Sequence, residues 1–303
     1  MRVSGRTYRE RLMFKGSFVA LVTPFQNGTV DVAKLEELVE LHIEANTSGL
    51  VPCGTTGESA TLTHEEHELV IGTVVRRAAG RIPVLAGTGS NSTAEAVHLT
   101  RFAKEVGADA ALVITPYYNK PPQKGLVAHF GRIAEEVDIP IIIYNVPSRT
   151  GVNMLPQTVI ECTRFPNVVG IKEASGSIDQ TVEILRDSEI TVLSGDDSLT
   201  LSLMAVGAQG VISVAANVVP GMLRELVDMA AAGDLEGARK LHYRLYPLFK
   251  TLFVETNPIP VKTAMEMIGR MSSQMREPLS PIEPEHAEML KSVLDELGVY
   301  SPS

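Results

Sequence analysis

Lys172 stands at the end of a strand-like apolar run, VVGI at 168–171, and is followed directly by Glu173. Burial among apolar side chains disfavours an ammonium ion and so favours the neutral amine. A neutral amine attacks a ketone and forms a Schiff base, which stabilises a carbanion on the adjacent carbon. The pattern therefore favours an amine nucleophile. The alternative is an ion pair between Lys172 and Glu173 or another neighbouring acid.

Other reactive side chains also follow apolar runs. Tyr144, in IIIYNVP, offers a phenol that can relay protons, although a tyrosine of the core is the alternative. Thr55 and Thr56, in the turn GTTG, offer hydroxyl and N–H groups suited to a small carboxylate, but such turns commonly just link a strand to a helix. Arg149, in PSRTG, can bind a carboxylate through two hydrogen bonds or form a loop salt bridge.

Composition narrows the class of function. The formal net charge of −9 offers no basic stripe and argues against a nucleic-acid partner. The run ends carry no histidine and no cluster of metal ligands, which favours amine catalysis over metal chemistry, and we expect no cofactor. Cys53 and Cys162 give no disulfide framework or metal-type spacing, which fits a reducing compartment. No apolar run is long enough for a membrane span, so we expect a cytoplasmic protein without a membrane partner.

The elements that would position these side chains recur along the chain. Eight apolar runs rich in Val and Ile are each followed by a helix-like stretch, beginning at Phe18, Gly49, Ile82, Ala108, Ile139, Val168, Ile190 and Gly210. Eight such units predict an α/β fold, a (β/α)8 TIM barrel. A doubly wound sheet is the alternative, but GTGSNS at 87–92 lacks the third glycine of its nucleotide-binding turn.

The domain organisation follows from the same pattern. We expect an N-terminal extension over residues 1–13, the barrel over 14–220, and a helical region over 221–303 packed on the barrel. Three helix starts fit the capping box, at Thr63, Ser92 and Ser177, each followed three residues later by Glu or Gln.

Several motifs occur together in an order known from one family. They are GTTGES (54–59), YYNKP (117–121), YNVPSRTG (144–151), GIKEA (170–174) and SGDD (194–197), with GVISV and NPIPVK in support. From about Phe14 to about Val299 the chain resembles the dihydrodipicolinate synthase family. This family belongs to the pyruvate-dependent class I aldolases, which include N-acetylneuraminate lyase.

The resemblance implies a role for each matching residue. Lys172 would form the imine with pyruvate, and Tyr144, Thr55 and Tyr118 would relay protons. Tyr118 would reach into the site of a neighbouring subunit. The product would be 4-hydroxy-tetrahydrodipicolinate, made in the first committed step of diaminopimelate and lysine biosynthesis. The resemblance also implies a homotetramer built as a dimer of dimers.

Four further positions would bind substrate. Thr56 would hold the pyruvate carboxylate, and Arg149 the carboxylate of aspartate semialdehyde. Gly195 and Ile212 would contribute backbone near the lysine. Arg149 favours the synthase because the sugar-acid aldolases of the superfamily generally lack an arginine at this place.

A regulatory site is also implied. In lysine-sensitive relatives the effector binds at a dimer interface, and the matching positions are Ala60, His64, His67, Gly89, Asn91, Glu95 and Tyr117. Glu95 also fits the capping box with Ser92, and the two histidines fit the solvent face of a helix equally well.

Two other functions remain open at this stage. One is an aldolase of the same mechanism that acts on N-acetylneuraminate or a 2-keto-3-deoxy acid. The other is a barrel that binds pyruvate as a sensor without turnover; the presence of both Tyr144 and Thr55 argues against it.

Overall fold

The structure, a computed structural model, describes residues 14–300. The predicted extension over residues 1–13 therefore lies outside the described residues. The eight predicted apolar runs all contain strands: β1 Gly16–Ala20, β4 Gly49–Val51, β5 Leu85–Gly87, β6 Ala110–Ile114, β7 Ile141–Asn145, β8 Val168–Glu173, β9 Thr191–Ser194 and β10 Gly210–Ser213. A two-residue hairpin, β2 Phe25–Gln26 and β3 Thr29–Val30, adds a small separate sheet.

Helices alternate with these strands. Over the described residues they are α1 Val32–Glu44, α2 His64–Ala78, α3 Thr93–Glu105, α4 Gln123–Glu136, α5 Pro147–Thr150, α6 Pro156–Cys162, α7 Ile178–Asp187, α8 Thr200–Ala205, α9 Pro220–Ala231, α10 Leu235–Thr251, α11 Ile259–Met267 and α12 Pro284–Leu297. Short 3-10 turns occupy Ser59–Thr61, Asp197–Leu199 and Ala215–Asn217.

The eight strands other than β2 and β3 form one parallel sheet in the order β4-β1-β10-β9-β8-β7-β6-β5. A parallel bridge between Leu50 of β4 and Val84, directly before β5, joins the two ends of this order. A sheet that closes on itself with a helix after each strand is the (β/α)8 barrel. The predicted fold class is confirmed, and the doubly wound alternative is wrong.

The described residues form two compact units. The first unit comprises residues 14–15 and Leu85–Val211, and the second comprises Gly16–Val84 with residues 212–300. In the first unit the strands are buried on both faces, which explains their uninterrupted apolar sequences. In the second unit, α9 packs on β1. The predicted boundary between residues 220 and 221 stays a prediction.

The three predicted capping boxes have different outcomes. The box of Thr63 and Glu66 is complete at the start of α2. Ser92 makes no side-chain cap at α3; its N–H donates to Ser90 Oγ at 3.0 Å, and the Ser90 hydroxyl donates to the Glu95 carboxylate. Ser177 caps α7 by accepting from the N–H of Gln180. The Gln180 side chain donates to the Glu173 carboxylate and does not complete the box.

The two cysteines are buried and unpaired. Burial raises the pKa of the Cys162 thiol to about 12 and raises the pKa of Cys53 as well. The Cys53 thiol lies 3.7 Å from the carbonyl oxygen of His67. Neither thiol is in an environment that activates it as a nucleophile. Within residues 14–300, no helix is both long and apolar enough to span a membrane.

Candidate active site

Lys172 and Tyr144 lie on neighbouring strands of the first unit. Tyr144 of β7 is the direct register partner of Lys172 of β8, so both side chains project from the same face of the sheet. The Lys172 Nζ lies 4.2 Å from the centroid of the Tyr144 ring. Each residue retains only 6% of its surface exposure. The structure therefore places an amine and an aromatic ring side by side, both nearly excluded from solvent.

Glu173 lies on the opposite face of β8, because successive strand residues alternate between faces. Its carboxylate accepts hydrogen bonds from the Ser175 N–H at 2.7 Å, from Gln180 Nε2 at 3.1 Å and from Asn145 Nδ2 at 3.3 Å. Burial raises the pKa of Glu173, although these donors oppose the rise. The interpretation of Lys172 as the partner of Glu173 is not supported, since the carboxylate is occupied by neutral donors on the other face.

Gly195 follows β9 and lies beside the lysine. Its N–H donates to the carbonyl oxygen of Glu173 at 2.8 Å, which continues the pairing of β8 with β9. A Cβ atom at Gly195 would lie 3.1 Å from Lys172 Cε and 2.6 Å from Ala174 Cβ. A side chain at this position would therefore crowd both Lys172 and Ala174.

Arg149 and Tyr118 belong to two segments of the first unit that are joined by a backbone hydrogen bond. Arg149 lies in α5, a single helical turn over Pro147–Thr150 that is followed by Gly151 in the left-handed region. Tyr118 also has a positive φ, 72°, and its N–H is 3.4 Å from the carbonyl oxygen of Thr150. The Arg149 side chain is exposed, and 90% of Tyr118 is exposed.

The remaining predicted substrate residues lie in the second unit. Thr55 is half-buried and Thr56 is buried, in the turn that follows β4. The Thr56 Oγ1 accepts a hydrogen bond from Asn257 Nδ2 at 3.0 Å. Ile212 is buried in β10, near the end of that strand. These residues, like those of the first unit, come from the carboxyl ends of barrel strands, where TIM-barrel enzymes carry their sites.

The predicted regulatory residues divide between the two units. In the second unit, Ala60 and His64 are exposed and His67 is buried at the start of α2. In the first unit, Asn91 is tied to the loop of Tyr118, because its carbonyl oxygen accepts from Asn119 Nδ2 at 2.9 Å. The other three positions of the first unit are each partly exposed, namely Gly89, Glu95 and Tyr117. The alternative that Glu95 caps α3 together with Ser92 is wrong.

Comparison with known proteins shows the family to which the chain belongs. Residues 13–297 match the family model described as the dihydrodipicolinate synthetase family. The chain belongs to the dihydrodipicolinate synthetase family. A curated relative from Nitratidesulfovibrio vulgaris, named 4-hydroxy-tetrahydrodipicolinate synthase, is 54% identical over 95% of this chain and 100% of its own. The resemblance stated from the motifs is thereby confirmed, and family members are lyase-type enzymes.

Solved structures agree. The dihydrodipicolinate synthase of Aquifex aeolicus is 54% identical and superposes with a TM-score of 0.95 over 96% of this chain and 100% of its own. An Acinetobacter baumannii synthase solved in complex with pyruvate is 46% identical, with a TM-score of 0.93 over 95% of this chain and all of that one. A Cyanidioschyzon merolae synthase solved with lysine bound is 39% identical, with a TM-score of 0.92 over 94% and 99% of the two chains.

Sequence reasoning missed the residues that surround the predicted ones. Glu58 belongs to the motif GTTGES, and both Asn257 and Lys262 belong to NPIPVK, yet none received a role. The structure joins them, since Lys262 Nζ lies 2.6 Å from Glu58 Oε1 and Asn257 donates to Thr56. The signal was present as two motifs, but nothing in either motif tells that they touch.

Proposed function

We propose that the protein condenses pyruvate with L-aspartate 4-semialdehyde to 4-hydroxy-tetrahydrodipicolinate through a Schiff base on Lys172. The observation that carries the proposal is the buried amine of Lys172 beside the Tyr144 ring on paired strands. The names of the curated relatives support the same reaction. They do not favour the alternative of a sugar-acid aldolase.

The reaction follows from these groups. The Lys172 amine attacks the ketone of pyruvate, and the Tyr144 hydroxyl, with Thr55 and Tyr118, moves the protons that let water leave. Loss of a methyl proton gives an enamine, and its carbon attacks the aldehyde of the second substrate. The amino group of the condensed product then displaces the Lys172 amine as the ring closes. No cofactor is needed, because the imine itself withdraws the electrons.

Charge recognition fits the two acidic substrates. Thr56 would donate its hydroxyl hydrogen to the pyruvate carboxylate, because its oxygen already accepts from Asn257. Arg149, exposed on its helical turn, would meet the carboxylate of aspartate semialdehyde with two parallel N–H bonds. Gly195 and Ile212 would present backbone groups near the imine.

The site would be completed by a second subunit. The exposure of Tyr118, together with its left-handed backbone, supports the proposal that its hydroxyl joins the proton relay of a neighbour. We therefore propose a dimer as the smallest active form, within a homotetramer. A cytoplasmic location completes the proposal.

Lysine is the proposed effector, acting at Ala60, His64, His67, Gly89, Asn91, Glu95 and Tyr117. The Cyanidioschyzon merolae relative solved with lysine bound supports it, as does the presence of both a carboxylate and histidines. Initial rates measured in millimolar lysine test it; unchanged rates would rule out feedback inhibition.

The experiment that tests the function couples the condensation to the next reductase and follows the initial rate. A rate that requires both pyruvate and aspartate semialdehyde is the expected result. Absence of this rate in folded protein, with cleavage of N-acetylneuraminate or of a 2-keto-3-deoxy acid instead, would make the sugar-acid aldolase the better assignment.

A further inference from the structure

The turn that carries Thr55 and Thr56 is held at several points by other residues of the second unit. The carbonyl oxygen of Gly57 accepts from Thr23 Oγ1 at 2.7 Å. The Thr56 hydroxyl oxygen accepts from Asn257 at 3.0 Å. A Cβ atom at Gly57 would lie 3.1 Å from the carbonyl oxygen of Leu21, so the turn is packed closely against the chain that follows β1.

A buried ion pair closes this turn at Glu58. The side chains of Glu58 and Lys262 are 1% and 0% exposed, and Lys262 Nζ lies 2.6 Å from Glu58 Oε1. The same Nζ donates to the carbonyl oxygen of Thr23 at 2.9 Å and lies 4.4 Å from the Phe25 ring centroid. The other carboxylate oxygen of Glu58 accepts from the backbone N–H of Arg276 at 3.1 Å. Both oxygens of the carboxylate are therefore used.

Stability does not explain the pair. Taking two charges out of water costs about as much as their attraction returns, and neutral side chains of similar volume often serve equally well. Burial lowers the pKa of Lys262, although the Glu58 carboxylate opposes this shift. Glu58 also has a φ of 53°, a left-handed conformation that non-glycine residues disfavour. What the pair does achieve is a fixed geometry two residues from Thr56.

We propose that Glu58 and Lys262 are positioning residues that hold the turn of Thr55 and Thr56 in the conformation that binds pyruvate. The pair ties the turn to Thr23 from one side, while Asn257 orients the Thr56 hydroxyl from the other. The inference rests on the proposed function, because it assigns the pair to the pyruvate half of the reaction.

The test uses the double variant Glu58→Gln with Lys262→Met, which removes both charges at similar volume. Either single change would leave one buried charge unpaired and destabilise the fold strongly. The matched control is Glu236→Gln with Lys240→Met, an exposed pair of α10 in the same unit. Thermal unfolding, the KM of each substrate, kcat and the rate of borohydride-trapped pyruvate adduct are measured on all three proteins.

We expect the buried double variant to unfold cooperatively near the wild-type temperature. Its KM for pyruvate should rise about tenfold and its adduct form more slowly, because one well-placed hydrogen bond to a charged group is lost. Its KM for aspartate semialdehyde should stay within about twofold of wild type. The control should match wild type throughout.

Two results would overturn the proposal. A merely structural pair would lower the active fraction, so kcat would fall while both KM values stay unchanged. Kinetics identical to wild type would also refute it. If the double variant does not fold, Glu58→Asp is measured instead; it keeps both charges but shortens the link, and it should raise the KM for pyruvate alone. Should wild-type protein make no condensation product, the proposed function fails, while trapping of the pyruvate adduct still measures positioning.

Discussion

The Nζ of Lys172 lies 4.2 Å from the centre of the Tyr144 ring, on directly paired positions of β7 and β8. Tyr144→Phe keeps the ring and its packing but removes the hydroxyl. We expect kcat to fall by about 10²- to 10⁴-fold, the range for loss of a positioned acid–base group, with little change in thermal stability.

Steady-state kinetics and trapping of the pyruvate adduct with borohydride measure this effect, and Tyr243→Phe on the exposed face of α10 serves as the control. Lys172→Arg should yield no adduct at all. A Tyr144→Phe enzyme with nearly wild-type kcat would remove Tyr144 from the relay.

Arg149 is expected to affect only one substrate. Arg149→Ala removes the exposed guanidinium, so the KM for aspartate semialdehyde should rise about 10- to 100-fold, as for a lost charged hydrogen bond. Formation of the pyruvate adduct should be unchanged. Arg186→Ala, which removes an exposed arginine paired with Asp187 in the same unit, is the control. Equal losses for both substrates would contradict this role.

Gly195 tests the close packing around Lys172. Gly195→Ala places a Cβ atom 2.6 Å from Ala174 Cβ and 3.1 Å from Lys172 Cε, so the fold should lose about 1–3 kcal/mol and adduct formation should slow. Gly221→Ala, on α9, is the matched control, since no atom lies within 4 Å of its added Cβ and it should be neutral or slightly stabilising. Chemical denaturation compares them; equal stabilities would mean that the site relaxes without cost.

Two buried histidines should make stability depend on pH. Burial lowers the pKa of His42 to about 3 and that of His129 to about 4, below the value of about 6.5 in an unfolded chain. At pH values between the folded and the unfolded pKa, the unfolded chain binds more protons than the folded protein. The free energy of unfolding therefore falls as the pH falls, by about 1.4 kcal/mol per pH unit for each histidine. Above about pH 6.5 this contribution is fully present.

Urea unfolding between about pH 7 and pH 5 measures the slope. His129→Asn retains an amide near the Thr93 hydroxyl, which lies 2.9 Å from His129 Nδ1, and it should reduce the slope by the share of one histidine. A slope identical to that of wild type would mean that folding does not lower the pKa of His129.

Tyr118 allows a test of the shared site. Neither Tyr118→Phe nor Lys172→Arg should be appreciably active alone, but mixed dimers would contain one site with both residues intact if Tyr118 crosses to the neighbour. Random mixing should then recover about a quarter of wild-type activity, because about half the dimers are mixed and each has one complete site of two. If Tyr118 serves its own subunit, mixing recovers nothing.

The sequence alone predicted the parts of the fold that depend on local pattern. Strands buried on both faces are continuous apolar runs, so β7 and β8 were recognised, and Lys172 and Tyr144 were recognised at their ends. Local pattern also misled, because Ser92 and Glu95 have the spacing of a capping box, but the competing hydroxyl of Ser90 takes the carboxylate.

Long-range partners were beyond such reasoning. Glu58 and Lys262 are 204 residues apart, and Thr56 and Asn257 are 201 apart. Which acid meets which amine at that separation is decided by the register of the closed sheet and the path of the C-terminal helices. Nothing in the local sequence around either motif indicates that the two motifs lie in contact.

The two cysteines have a practical consequence for following the protein's motions. Both thiols are buried, and burial raises both pKa values, so maleimide dyes should leave the native chain unlabelled. A cysteine introduced at an exposed position, such as Tyr243, would then be the only reactive thiol. Fluorescent labels placed this way on two subunits would report subunit exchange without first replacing the native cysteines.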